Sequence, residues 1–276
     1  VANEQTLDSA TSRDTQANRG DAQARPIRVG VVGAKGRMGQ EVCRAVDADP
    51  ALQLVARLDI ADSLDELATA QTDVAVDFTV ASAARRTLGF LADNSIHAVV
   101  GTSGFETEDF TRFAEMFNKS NCVIAPNFAI GAVLMMRFAE LAAPHFATAE
   151  IIEYHHNAKV DAPSGTAMHT AQRIAKAAGH APGQPDQNGF DADPTQHEAL
   201  AGARGGVVPG NVRVHAVRMR GVVANQEVLL GTTGQTLTIR HDTIDRTSFM
   251  PGVLLACRRI AEFEGLTLGL DAFLNL

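Results

Sequence analysis

Two patterns in the sequence predict an α/β protein in which a parallel-sheet domain is followed by an α+β domain. From Ile27 onward, the short apolar runs IRVGVV, LQLVARLD, DVAVDFT, HAVVGTSGF and CVIAPNF alternate with segments of helical period, the rhythm of parallel strands joined by helical crossovers. Beyond residue 145 the rhythm changes. EIIEYHH is followed by a loop and a helix, and then VRVHAVRM, NQEVLLGT and QTLTIRHD come in close succession, as in an antiparallel or mixed sheet. The expected division is a first domain over residues 27–128 with about five parallel strands, a second over 129–242, and a C-terminal segment, 243–276, that returns to the first.

Residues 1–26 are polar, have no apolar period and end in Arg25-Pro26, so a disordered tail is expected. Arg13, Arg19 and Arg25 suggest a transit peptide, but Glu4, Asp8, Asp14 and Asp21 oppose that reading. Helices are expected near residues 38–48, 64–69, 81–94 and 109–119, between the apolar runs. A long apolar helix follows over 131–145, but Arg137, Glu140 and His145 interrupt it, so it lacks the roughly 18–20 uncharged residues of a membrane span. Another helix is expected over 167–178 and a last one over 250–262. Residues 179–210 are dense in Gly, Pro, Asp and Gln, which predicts a long mobile loop of the kind that closes over ligands. VRVHAVRM reads as an edge strand in need of cover.

The composition excludes several function classes. With 24 Lys+Arg against 32 Asp+Glu, no Trp and one Tyr, the chain has the wrong sign and too few aromatics for a nucleic-acid binder. Any anionic ligand must therefore meet a local basic site. Cys43, Cys122 and Cys257 are odd in number and far apart, which argues against a disulfide scaffold or zinc ribbon and for a soluble protein of the reducing cytoplasm.

Chemistry enters with GVVGAKGRMG, which places Gly33, Gly36 and Gly39 between a predicted strand and a predicted helix. That is the context the dinucleotide fingerprint requires: a tight turn at the first glycine, close backbone approach to a pyrophosphate at the second, and a helix N-terminus aimed at it. Lys35 and Arg37 put two cations at the positive end of that helix, a placement a bound anion would justify. Asp59 closes the second strand twenty residues past Gly39, where an acid hydrogen-bonds the adenosine ribose, and it favours NAD over NADP. Arg57 and Lys35 are the cations that a 2′-phosphate could meet instead. The plain alternatives are a glycine-rich turn without ligand and an ordinary strand-end aspartate. Later strands end in Asp77-Phe78-Thr79, Gly101-Thr102-Ser103-Gly104 and Ala125-Pro126-Asn127-Phe128, at the carboxyl ends where open α/β sheets bind ligands.

EYHHNAKVDAPSGTA is the most specific run in the chain. His155 and His156 leave a strand, Lys159 follows, and Ser164-Gly165-Thr166 opens a helix, so imidazoles, an ammonium and free backbone N–H groups converge on one loop. The set suits a small dianion that must also receive a proton. Adjacent histidines on a strand point to opposite faces and rarely share an ion, so metal ligation is disfavoured; a solvated basic loop is the structural alternative.

GxxGRMG, GTSGF, APNF, HHxxKxDAPSGTA and RHDTIDRTSF together resemble the dihydrodipicolinate reductases, from Ile27 to the end of the chain. The turn after Asp59 and the ending GVLLACRRIAE resemble the actinobacterial branch. The resemblance implies a Rossmann-like domain joined to an α+β domain for substrate binding and oligomerisation, and a homotetramer formed through the second domain's sheet. It implies reduction of 4-hydroxy-tetrahydrodipicolinate to tetrahydrodipicolinate by NADH or NADPH, with loss of water, in lysine and diaminopimelate biosynthesis, without a metal. The proton donor it implies is His155 or Lys159, with His156, Lys159, Ser164, Gly165 and Thr166 binding the small dicarboxylate. The cofactor residues are Gly33, Ala34, Lys35, Gly36, Arg37, Met38, Asp59, Phe78, Thr79, Gly101, Thr102, Ser103, Ala125, Pro126, Asn127, Phe128 and Arg246. Two positions depart from the family pattern: Ser103 stands where many members carry threonine, and Ile60 where some carry the arginine that admits NADPH. The rival readings are another two-domain dehydrogenase, for which no cysteine sits in a nucleophile context, and a non-catalytic NADH-sensing module.

Overall fold

The computed structural model describes residues 25–179 and 189–276; the expected tail, except Arg25 and Pro26, lies outside the described residues, as do residues 180–188 of the expected loop. Strands β1 (Ile27–Val32), β2 (Leu52–Leu58), β3 (Val74–Asp77), β4 (His97–Val100) and β5 (Cys122–Ile124) form the expected parallel sheet. Helices α1 (Arg37–Asp47), α2 (Asp65–Thr69), α3 (Ala81–Asp93) and α4 (Thr107–Met116) make the crossovers. β3 is buried at all four positions and β4 at three, which is why both read as unbroken apolar runs. β1 lies between β2 and β3, so the chain turns to opposite sides of the sheet at β1 and leaves a crevice beyond its carboxyl end.

α5 (Ile130–Ala142) carries the chain into a second, mixed sheet of order β10-β9-β6-β8-β7. Its strands are β6 (Thr148–His156), β7 (Gly206–Val208), β8 (Val212–Met219), β9 (Ala224–Thr232) and β10 (Gln235–Thr243), with β6 and β8 parallel and the other pairs antiparallel. α5 and α6 (Gly165–Ala178) cover one face, where Ile151, Val214, Val228 and Leu230 meet Ala167, Ala171 and Ile174 in a shared apolar core. From β10 a 3₁₀ segment, Arg246–Phe249, leads to α7 (Met250–Arg259), which packs against α1, and then to β11 (Leu266–Leu268), which pairs in parallel with β5. The first sheet thus has six strands; a three-residue LTL run is too short to show a period.

Two expectations are corrected. β8 is an interior strand, because the short β7 pairs along it, and the long open edge belongs to β10. The described part of the expected mobile loop is fastened down near the start of β6. Phe190 is buried and its N–H donates to Gly210 O, Asp191 N–H donates to Ala147 O, and Arg204 binds Asp193 and Glu150. These ties gather at the start of β6; at about 3.3 Å per residue, Glu150 and His155 are roughly 17 Å apart along the strand.

Burial pushes the imidazoles of His97, His155, His169 and His241 below their ordinary value of 6.5, so the folded chain holds them mostly neutral near neutral pH. The unfolded chain binds more protons as pH falls through 6.5, so stability must fall with it. Below about 4.5, Glu140, Glu150 and Glu153, all held under their ordinary range, add to the loss in the same direction. Urea midpoints are therefore expected to drop steadily from pH 7 to pH 5; a flat profile over that window would show that the histidines titrate alike in both states.

Candidate active site

The turn after β1 is shaped by backbone needs. Gly33 sits at φ +80°, a left-handed conformation that side chains disfavour, and its N–H donates to Leu58 O at 2.9 Å. A Cβ on Gly39 would lie 2.1 Å from Gly33 O, so only glycine lets α1 sit this close to the turn. Gly36, the extended residue before α1, offers no side-chain cap, and the first N–H groups of this eleven-residue helix have no intrahelical partner. Asp59, just past β2, accepts from Ile60 N and Lys35 N, each at 2.9 Å, and these bonds hold its carboxyl below the usual range. A cleft of about 260 Å³ opens here, walled by Val32, Leu58, Leu64 and Phe78, with Asp59 and Thr79 at hand. Arg86, reaching in from α3, is a cation in this cleft that sequence reasoning missed. An unfilled helix start, an ionised acid and apolar walls fit a dinucleotide.

The next two loops are organised by Asp77, which the sequence places at the end of the third strand but without this role. It is fully buried and accepts from Thr79 N at 2.9 Å, Thr79 Oγ1 at 2.7 Å and Thr102 Oγ1 at 2.8 Å. The Thr79 and Thr102 hydroxyls therefore brace one loop against the other. Met38, Phe78, Gly101, Ala125, Pro126, Asn127, Phe128 and Phe249 line a further cleft of about 190 Å³. The side chains of Ala125 and Phe128 are buried. Ser103 opens onto a different cleft, beside Phe105, Phe110 and His169. Arg246 lies in the 3₁₀ segment that packs against α1.

Strand alternation in β6 turns Ala149, Ile151, Glu153 and His155 toward the helices and His156 to the other face. Ser164 caps α6, its Oγ accepting from Ala167 N at 3.2 Å, and its own N–H donates to Glu153 Oε1 at 3.1 Å. The N–H groups of Gly165 and Thr166, at the helix start, have no intrahelical partner. His155, Ser164, Thr166, Asn127, His241 and Phe249 line one cavity. Asn127 and Phe249 belong to this cavity and to the cleft below β4 and β5, so the two predicted binding regions meet there. His156 and Lys159 lie outside the cavity lining; Lys159 Nζ rests on both carboxyl oxygens of Asp161 at 2.8 Å.

Glu153 is the electrostatic centre of this region. Its side chain is fully buried and accepts from Arg218 Nη1 and Nη2 at 2.9 and 2.8 Å and from His155 Nδ1 at 2.5 Å. Burial pushes its carboxyl up, but the Arg218 and His155 hydrogen bonds outweigh burial and keep it ionised. For His155, burial lowers the imidazole more than Glu153 raises it. One signal for Glu153 was available: it occupies an inward position of a strand, where a charge is costly unless paired. Its partner Arg218 is 65 residues away and carried no signal. Among the described residues there is no cluster of three or more His, Cys, Asp or Glu able to hold a metal.

Residues 27–128 match the family model described as dihydrodipicolinate reductase, N-terminus, and residues 131–274 the model for its C-terminus. Proteins named 4-hydroxy-tetrahydrodipicolinate reductase are 52% identical in Nocardia farcinica, over 253 residues, and 50% identical in Corynebacterium urealyticum, over 254; each alignment covers 91% of this chain and 99% of the relative. A solved structure, the dipicolinate-bound dihydrodipicolinate reductase from Paenisporosarcina sp. TG-14, superposes with a TM-score of 0.77 at 37% identity, covering 90% of this chain and 99% of the other. A probable dehydrogenase from Thermotoga maritima, at 11% identity and a TM-score of 0.57, shares the fold alone. With both halves matched and half of the aligned residues identical to actinobacterial reductases, the chain belongs to the dihydrodipicolinate reductase family.

Proposed function

We propose that this chain reduces 4-hydroxy-tetrahydrodipicolinate, with loss of water, to tetrahydrodipicolinate in the diaminopimelate route to lysine. The observation that carries the reading is the junction at Asn127 and Phe249, where the cavity holding His155 and Thr166 joins the cleft at the carboxyl ends of β4 and β5. When bound, NADH or NADPH supplies the hydride, which adds at C4 of the unsaturated ring. The protein's own work is to hold two carboxylates and deliver a proton to C3. The Gly165 and Thr166 N–H groups and the Lys159 ammonium suit the carboxylates, and Lys159 must leave Asp161 to engage one. His155, inside the cavity and backed by Glu153, is assigned as the proton donor. His156, on the opposite face of β6, lies outside the cavity lining and is given no part in the proton transfer.

Asp59, bound by two backbone N–H groups, favours NADH, whereas Arg86 provides a cation in the same cleft for a 2′-phosphate. The deciding experiment supplies substrate in situ from aspartate semialdehyde and pyruvate through the preceding synthase and follows NADH and NADPH oxidation. Substrate-dependent oxidation supports the reading and ranks the cofactors. No oxidation by protein that demonstrably binds NADH would favour the sensing module.

We further propose a homotetramer built on the face of the second sheet away from α5 and α6. Ile152, Tyr154, Val217, Met219 and Leu229 lie there, none of them buried, and β10 offers an open edge. Leu229→Glu is expected to shift the sedimentation profile to smaller species, and an unchanged profile would place the contact elsewhere. No described helix is long and apolar enough to cross a membrane, and the three cysteines are buried and unpaired, which supports a cytoplasmic location.

A further inference from the structure

Glu153 is a buried charge that the proposed chemistry does not itself use, and burying it without partners would be costly. It has three kinds of partner. Arg218 grips both oxygens, Ser164 donates its N–H at the head of α6, and His155 lies at 2.5 Å through Nδ1. An ionised carboxylate can only accept, so Nδ1 must carry the hydrogen, which leaves Nε2 as the variable atom of the ring. Arg218 also donates to Asp161 O at 2.7 Å, so the loop bearing Lys159 hangs from the same network. Other charged or titratable groups near His155 are Lys159 and, across the cavity on β10, His241.

We propose that Glu153, held in place by Arg218, is the positioning residue for His155: it binds Nδ1–H, presents Nε2 to the substrate, and ties the proton donor to the α6 N-terminus that binds a substrate carboxylate. The inference rests on the reading of His155 as proton donor. The carboxylate transfers no proton in the step. It favours the protonated ring that gives its Nε2 proton to C3, and the neutral ring that remains keeps Nδ1–H on Glu153.

Glu153→Gln and the double variant Glu153→Gln/Arg218→Met, which leaves no unpaired buried charge, test this. Readouts are thermal midpoint, NADH dissociation constant, kcat and KM from pH 5 to 9, and the ¹⁵N shifts of His155. The expected result for Glu153→Gln is a fall in kcat of about 10- to 100-fold, with NADH affinity within about twofold of the unaltered protein. Because Glu153 raises the His155 pKa, its loss should also move the high-pH limb of kcat/KM to lower pH. If Glu153→Gln does not fold, the double variant should, with kcat still depressed and the Nδ1–H preference in the ¹⁵N spectrum weakened. A folded double variant with kcat within about twofold of the unaltered protein would overturn the proposal. Should the unaltered protein fail to turn over at all, the functional reading falls on its own; the ¹⁵N spectrum still decides the tautomer, and an Nε2–H form there overturns the positioning role.

Discussion

Lys159→Ala is expected to lower kcat/KM for the dicarboxylate about 30- to 300-fold while leaving NADH affinity unchanged. Removing one member of a hydrogen-bonded charge pair costs about 2–5 kcal/mol when the pair is buried, and about 1.4 kcal/mol corresponds to tenfold. The Lys159 side chain is 21% exposed, so water screens part of that and the lower half of the range applies. NADH affinity is spared because Lys159 lines neither of the clefts proposed for the cofactor. Steady-state kinetics separate two roles: a cation that grips ground state and transition state alike raises KM, whereas a proton donor lowers kcat. With His155 as the proton donor, most of the loss is expected in KM. A loss confined to kcat would return the proton to Lys159 and leave His155 as the carboxylate ligand.

Gly39→Val is expected to disable cofactor binding. Its Cβ would meet Gly33 O at 2.1 Å and Ala34 Cα at 2.8 Å, and both are backbone atoms that cannot rotate away. Relief requires α1 to move off the turn, which separates the helix N-terminus from the loop proposed to cradle the phosphates. Overpacking of this kind costs about 1–3 kcal/mol of stability. A misplaced cradle should weaken NADH at least about tenfold, or about 1.4 kcal/mol. Gly89→Ala makes a suitable control: in α3, its Cβ would meet only Met116 Cε at 3.6 Å, an ordinary contact. That substitution should raise the melting temperature by removing backbone entropy from the unfolded chain, with NADH binding intact. Equal NADH affinity in Gly39→Val and the unaltered protein would show that the turn does not hold the pyrophosphate.

Much of this site is local in the sequence, and therein lies its legibility. The glycine turn, the acid after the second strand and the HHNAKVDAPSGT run each lie within a few residues of the element that positions them. Backbone preference and strand or helix period act over that same range. The strand alternation that separates His155 from His156 also follows from period alone. The capping role of Ser164 could be read from its place before an apolar helix.

What only the tertiary structure decided are choices among distant partners. Glu153 finds Arg218 65 residues on, Asp77 finds Thr102 across a helix, and β11 docks on β5 far upstream. Phe249 comes from beyond the second sheet to join two cavities, and β7, three residues long, turns β8 from an expected edge into an interior strand. No local pattern encodes such pairings. Closing a longer loop costs only slightly more entropy than closing a shorter one, so separation along the chain hardly discriminates between candidate partners. The competition is settled when the core packs, because only one arrangement buries the apolar faces of both sheets and still gives a buried carboxylate its guanidinium. The residues proposed to carry the chemistry could thus be picked out in the order they are written, whereas the residues that hold them in register appear only once the chain is folded.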